Sequence, residues 1–403
     1  MADSGVQDVI DWLIDGARSA ERSDLVLGEL CERITKAGVP LWRVGIFVRT
    51  LHPDVFARSF VWRPDTGVVT ATAAHDIVDS ETYKTSPLAH LYSTGEAIRH
   101  RIPEGGVIRH RINADENIDA YPILRELREE GVTDYIAIPL RFTDGSLHGS
   151  SWTTKEPGGF TPVQLAALQT LVPPLARVAE IRALQRTAIN LLDTYVGNSA
   201  GARILAGKIR RGYADNLHAV IWLSDMRGFT ALSDRVAPEK VVEVLNRYFD
   251  CQVSAVNNHG GEVLKFMGDG MLAIFPVHDD AGAQAVCIRA LTAAREARGN
   301  IGKLNAAQGA WSKDILRFGI ALHVGHVLYG NIGGGNRLDF TCIGPGVNLA
   351  ARIEKIAGKL GRTIVGSAEF AGHCEAEWKD VGEFSVSGFS APRTVFGLRD
   401  EQP

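Results

Sequence analysis

Apolar positions near the N-terminus recur at threes and fours: Val9, Ile10, Leu13 and Ile14, then Leu25, Leu27, Leu30 and Ile34. This spacing predicts an amphipathic helical pair with a restart at Ser23-Asp24. From about residue 42 the period shortens. Trp42 to Leu51 and Arg58 to Pro64 read as strands, and a Pro-Asp-Thr-Gly turn leads into the strand GVVTATAA. DYIAIPLRF and SLHGSSWTTK make a further hairpin around Thr143-Asp144-Gly145. Thr161 is placed to cap, and Pro162 to open, a long helix with an apolar stripe of Leu168, Leu171, Leu175, Val178, Ile181, Leu184 and Leu191. Because the stripe outruns the first domain, packing on that domain and a parallel dimer seam both remain open. Pro173-Pro174 is expected to kink or restart the helix.

A polar segment containing glycine, Gly197 to Gly212, precedes a second series of elements. These are the strand AVIWLSD, a helix through PEKVVEVLNRYFDCQVSAVNNH, the hairpin EVLKFMGDGMLAIFP and an alanine-rich helix from Asp280 to Ala297. The strands RFGIALHVGHVLYGNIG and LDFTCIG, the helix PGVNLAARIEKIAGKL and a final pair of strands follow. The chain thus divides into an α+β domain at 1–180, a helical linker at 181–214 and a second domain at 215–397. Neither a dinucleotide fingerprint nor a P-loop is present.

Composition narrows the chemistry little. With 403 residues, 45% hydrophobic and 22% charged, the chain is long enough for two or three globular domains. A net charge of -4 shows no global bias toward nucleic acid or an anionic membrane, so any phosphate binding must be local. The 5 cysteines are scattered without metal-ligand spacing and read as small buried hydrophobes in a reducing compartment. The acidic N-terminus and the lack of a sufficiently long apolar run lead us to expect a cytoplasmic protein without a membrane span.

The stretch WLSDMRGFTALSD concentrates the candidate chemistry. An apolar run, Ala219 to Leu223, ends near Asp225 and turns through Gly228 toward a helix, which aims a carboxylate and free backbone amides at one space. That suits a divalent cation carrying phosphates, although Asp225 as a simple helix cap reads equally well. A second carboxylate, Asp269, sits in the Gly-Asp-Gly turn of LKFMGDGMLAIF; if the two strands are neighbours, Asp225 and Asp269 converge. Asn348 and Arg352 are four apart and share one helix face.

Four stretches in order, SDMRGFTALSD, GGEVLKFMGDGMLAIF, FGIALHVGHVLYGNIG and RLDFTCIGPGVNLAARIE, make the C-terminal half resemble a class III nucleotidyl cyclase catalytic domain. The resemblance implies a ferredoxin-like fold, with Asp225 and Asp269 as ligands to two Mg²⁺ or Mn²⁺ ions. It matches Lys265 and Thr341 to the residues that read adenine, and Asn348 and Arg352 to those that orient the ribose and stabilise the transition state. The amides of Met226, Arg227, Gly228, Phe229 and Thr230 would cradle the triphosphate. A lysine ammonium and a threonine hydroxyl suit the N1 acceptor and N6 donor of adenine, which favours ATP over GTP. The resemblance further implies a homodimer with composite sites, the aspartates from one subunit and the Lys-Thr-Asn-Arg set from the other. Guanylate cyclase and a catalytically degenerate binding module are the alternatives. The N-terminal layout of helices, antiparallel strands and closing helix resembles a GAF-type sensory domain, with a PAS-like or other α+β domain as the competing reading.

Three features carry less. Gly333-Gly334-Gly335 reads as a hairpin tip, and His323 with His326 falls on a strand. The repeated IRHRI, at 98–102 and 108–112, reads as a charged edge or a contact for an anion.

Overall fold

The computed structural model describes residues 2–93, 108–111, 121–278, 282–307, 315–335, 337–374 and 377–401. The chain is mixed α+β and separates into two units, Met1–Leu191 and Leu192–Pro403. The first IRHRI copy lies outside the described residues; Ile108–Arg111 of the second forms a strand.

The first unit contains the helices α1 (Ala2–Ile14), α2 (Ser23–Lys36), α3 (Glu81–Lys84), α4 (Pro87–Ser93) and α5 (Pro122–Glu129). Its strands are β1 (Arg43–Arg49), β2 (Ala57–Arg63), β3 (Gly67–Ala73), β4 (Ile108–Arg111), β5 (Asp134–Arg141) and β6 (Leu147–Thr154). They form an antiparallel six-stranded sheet in the order β3-β2-β1-β6-β5-β4. One face, with Val44, Ile46 and Trp152, packs on α1, α2 and the first half of α6 (Pro162–Val196). A reciprocal box opens α6: Gln164 N donates to Thr161 Oγ1 at 3.3 Å, and Thr161 N donates to Gln164 Oε1 at 2.9 Å.

α6 does not restart at Pro173 and Pro174 but continues through them as one helix. Leu171, Val172, Leu175 and Ala176 flank the prolines and are all buried, so core packing offsets the lost backbone bonds. The apolar stripe then changes partner. Leu168 to Val178 are core, whereas Ile181 is 53% and Leu184 63% exposed.

His148, buried on β6, accepts from Arg49 N at Nδ1 (3.0 Å) and lies beside Ser146 Oγ. Burial first, then the Arg49 charge, pushes its pKa down from 6.5 to about 4. A depressed folded pKa contributes stability that is present above the unfolded value and lost as pH falls through the folded one. Thermal melts of residues in the full chain should therefore show stability falling between pH 6.5 and about 4, and His148→Gln should flatten that decline. An equally steep decline in the variant would remove His148 as its source.

The second unit begins with the end of α6 and with α7 (Asn198–Leu205), whose Ala200 is buried in that unit's own core. It continues with β7 (Ala214–Arg227), α8 (Phe229–Arg235), α9 (Pro238–Asn258), β8 (Glu262–Met267), β9 (Gly270–Pro276) and α10 (Ala283–Ala307). The remaining elements are β10 (Arg317–Gly334), β11 (Arg337–Ile343), α11 (Pro345–Lys359), β12 (Ile364–Ser367), α12 (Ala368–Ala371), β13 (Trp378–Phe384) and β14 (Arg393–Leu398). Thus three strands, not a pair, close the chain.

Strands β10, β7, β9 and β8 lie side by side, all antiparallel, in the order of a split β-α-β-β-α-β unit. β12, β14 and β13 extend the sheet beyond β10, with β10 and β12 parallel, and β11 pairs with the far end of β10. The β10–β11 register runs to Gly334↔Arg337, so the triple glycine does form a hairpin tip. Apolar alternation buries both faces. Val220, Trp222, Ala273 and Phe275 meet α9 and α10, while Ala219, Ile221, Leu272 and Ile274 face the side on which Ala350 of α11 packs.

Candidate active site

Asp225 stands two residues before the end of β7, and Asp269 lies in the two-residue turn between β8 and β9. Antiparallel pairing of β7 with β9, with Ser224 opposite Met271, places the end of one beside the start of the other. Gly268 takes φ +66, as a tight hairpin demands of its first central residue. At Gly270 a Cβ would stand 3.0 Å from Ser224 O and 3.2 Å from Asp225 Oδ1, so glycine there permits the close approach. The two carboxylates consequently meet. Burial, then the Asp269 charge and a hydrogen bond with Asp269, raises the Asp225 pKa against the opposing Arg227 and Lys355 charges.

This donor set fits a hard divalent cation, since two oxygen ligands at one edge repel each other until a positive charge lies between them. Among the described residues no cluster of three or more His, Cys, Asp or Glu converges, so the two carboxylates would share any cation with water, backbone carbonyls or phosphate oxygens. Gly228 follows at φ +73, and α8 starts directly after it. Phe229 packs against the core beneath this loop.

The Arg227 side chain leaves the loop altogether. Its guanidinium threads between Gly319 and Gly358, where an added Cβ would stand 2.3 Å and 2.2 Å from its nitrogens. It lies 3.7 Å from Glu354 Oε1 and donates to Arg362 O at 3.2 Å. Glu354 is buried, and burial followed by the Asp225 charge raises its pKa. Sequence reading missed this residue, although its signal is visible in hindsight: Ala350, Glu354 and Ala357 share one helical stripe, and the glutamate is its only charge. Tyr248 on α9 is likewise buried near the pair; burial first raises its phenol pKa, and the Asp225 and Asp269 charges add to this against hydrogen bonding to Gln252 and Ser224.

Lys265 owes its direction to a bulge. The register shifts between Val263↔Ala273 and Lys265↔Leu272, which turns Lys265 toward the face that holds Leu272, Phe340 and Cys342. Its charge there counters the burial that raises the Cys342 thiol. Thr341 is 4% exposed, with Oγ1 buried and unpartnered among the described residues. The single chain therefore does not present that hydroxyl on an open surface. Asn348 and Arg352 are both exposed on α11. The charges of Arg227 and Lys355 of the same chain act on Asp225.

His323, buried, bonds Ser367 Oγ through Nδ1 at 2.8 Å, and His326 stacks on His218. Among the described residues no helix is long and apolar enough to cross a membrane.

Comparison with known proteins agrees with this geometry. Residues 214–398 match the family described as Adenylate and Guanylate cyclase catalytic domain. Adenylate cyclase 1 of Rhizobium meliloti is 30% identical over 177 residues, covering 43% of this chain and 26% of that protein. An adenylate cyclase of Anabaena cylindrica is 28% identical over 208 residues, covering 50% of this chain and 40% of its own length. The chain thus spans well under half of these relatives. The crystal structure of the adenylyl cyclase CyaB from P. aeruginosa aligns at 26% identity and a TM-score of 0.43, covering 47% of this chain and 97% of that one. The match begins at residue 214 and so does not bear on the first unit. With the paired aspartates, the β-α-β-β-α-β sheet and this match in agreement, residues 214–398 are a class III adenylate/guanylate cyclase catalytic domain.

Proposed function

We propose that the protein is an adenylate cyclase that converts ATP to 3′,5′-cyclic AMP and pyrophosphate, with its active sites shared between two copies of the chain. The observation that carries this reading is the meeting of Asp225 and Asp269 at one edge of the sheet, with Asn348 and Arg352 exposed on α11. In the reaction the ribose 3′-oxygen bonds to the α-phosphorus, the bond from that phosphorus to the α,β-bridging oxygen breaks, and the 3′ proton passes to solvent. Asp225 and Asp269 would hold two Mg²⁺ or Mn²⁺ ions, which would supply Lewis-acid chemistry that makes the 3′-oxygen a better nucleophile and neutralises phosphate charge. Backbone amides from Met226 to Thr230 bind the β- and γ-phosphates, with Gly228 allowing close approach. Across the dimer, Asn348 orients the ribose and Arg352 meets charge developing on the α-phosphoryl oxygens.

Lys265 donates to adenine N1, and the Thr341 hydroxyl accepts from N6 once the subunits close and uncover it. The first unit, a GAF-like sensory domain in this reading, regulates the enzyme through α6. Its exposed Ile181 and Leu184 continue the stripe as a seam between copies.

Purified protein assayed with ATP and GTP tests the specificity. The expected result is a ratio of kcat/KM favouring ATP by at least about tenfold, eroded toward parity by Lys265→Glu with Thr341→Ala. Cyclic GMP as the main product of the wild type would establish the guanylate reading, and no turnover of either nucleotide would establish a binding module. A double variant that stays active with an unchanged ratio would remove the base-reading role.

A further inference from the structure

The first unit carries a cavity of about 600 Å³, open to solvent on one side, between α2, the strands β1 to β3 and the C-terminal half of α6. Its deeper wall is apolar, with Val26, Leu27, Ile46, Val48, Leu175 and Val178 all buried. Its polar lining is charged unevenly: Arg22, Arg49, Arg58, Arg182 and Arg186 face only Glu21 and Asp24.

Several of these arginines already have partners. Arg22 Nε donates to Asp24 at 3.0 Å, Arg182 donates to Ala20 O at 2.9 Å, and Arg49 lies 4.1 Å from the centre of the Tyr92 ring. Arg58 and Arg186 do not take part in any ion pair among the described residues, and Arg58 Nε is buried without a hydrogen-bond partner. The two also oppose each other. Burial first, then the Arg186 charge, holds the Arg58 guanidinium below its ordinary pKa. Among the described residues no carboxylate pairs with either of them. A planar fork with unused donors beside an apolar wall matches a carboxylate on a hydrocarbon body, which can accept from guanidinium groups while its body covers the wall.

We propose that this cavity is a binding site for a small organic carboxylate, its anionic head received by Arg58 and Arg186 and its apolar body lying on Ile46, Val48, Leu175 and Val178. A volume of this size falls within the range of small-molecule sites, and burial of the body against the wall supplies most of the affinity. The head selects anions over neutral analogues. Because Leu175, Val178 and Arg186 all belong to α6, occupancy bears directly on the helix that continues to Val196. This inference is independent of the cyclase reading of the second unit.

Isothermal titration of the full chain with octanoate, 1-octanol and inorganic phosphate tests it. Octanoate should bind once per chain, and octanol, the same body without charge, at least about tenfold more weakly. Phosphate should also bind at least about tenfold more weakly, since it leaves the apolar wall unused. Arg186→Gln changes an exposed side chain and should weaken octanoate by about threefold or more while preserving the fold, checked by circular dichroism. Arg58→Gln combined with it should abolish the preference over octanol; if that variant does not fold, Arg58→Lys, which keeps charge but loses the fork, should show intermediate affinity. Octanol binding as tightly as octanoate, phosphate binding as tightly, or octanoate affinity unchanged in Arg186→Gln would each overturn the proposal, as would the absence of octanoate binding.

Discussion

Asp225→Ala and Asp269→Ala should each lower turnover of ATP by at least about a thousandfold while leaving the melting temperature of the chelator-treated protein close to the wild-type value or above it. The second half of that expectation follows from the geometry. The two carboxylates crowd each other, and Asp225 titrates above the ordinary aspartate range because of burial and Asp269, so removing either relieves repulsion when no cation is bound. Loss of activity with retained stability thus separates a ligand role from a structural one. The measurements are steady-state cyclic AMP production with Mg²⁺ and with Mn²⁺, alongside a thermal melt. A variant retaining a tenth of wild-type turnover would show that the pair does not carry the reaction.

Coexpression of the inactive Asp225→Ala chain with an inactive Arg352→Ala chain should restore activity. In such a heterodimer one site takes its aspartates from the Arg352→Ala chain and its arginine from the Asp225→Ala chain, and that site contains no altered residue. Random pairing makes about half the dimers mixed, each with one intact site of two, so roughly a quarter of wild-type activity is expected if the sites are independent. Differential tags establish that mixed dimers form. Copurification of both tags without production of cyclic AMP would mean that each site draws its aspartates and arginine from one chain.

The parts of this architecture that were legible in the sequence are those set by neighbours in the chain. A run of apolar residues ending at an aspartate, a Gly-Asp-Gly between two apolar strands and the Thr161 cap before Pro162 each specify local geometry, and the two aspartates needed only strand adjacency to meet. The sequence was less informative where distant residues decide. Nothing near Pro173 or Pro174 announces that a helix survives them; the outcome rests on what Leu171, Val172, Leu175 and Ala176 cover. The bulge before Lys265 is invisible to a period-two reading, because it depends on the register against β9. The path of Arg227 depends on glycines 92 and 131 residues away along the chain, at 319 and 358, and on the buried Glu354. The short strand β12, only 4 residues long, was lost between a helix and a hairpin for the same reason.

Arg227 has a consequence for how such an enzyme keeps time between its two halves. It is rooted two residues from Asp225 on β7, and its far end is clasped by Gly319, Glu354 and Gly358, the last two on the helix that displays Asn348 and Arg352. In a dimer with composite sites those two ends serve different substrates. One guanidinium would then act as a rigid strut between opposite catalytic centres, and the snug glycine contacts leave little slack to absorb a displacement. Closure of the phosphate loop on one nucleotide would shift the ribose-binding helix that faces the other, so that the two centres would turn over in alternation, or in concert, but not as strangers.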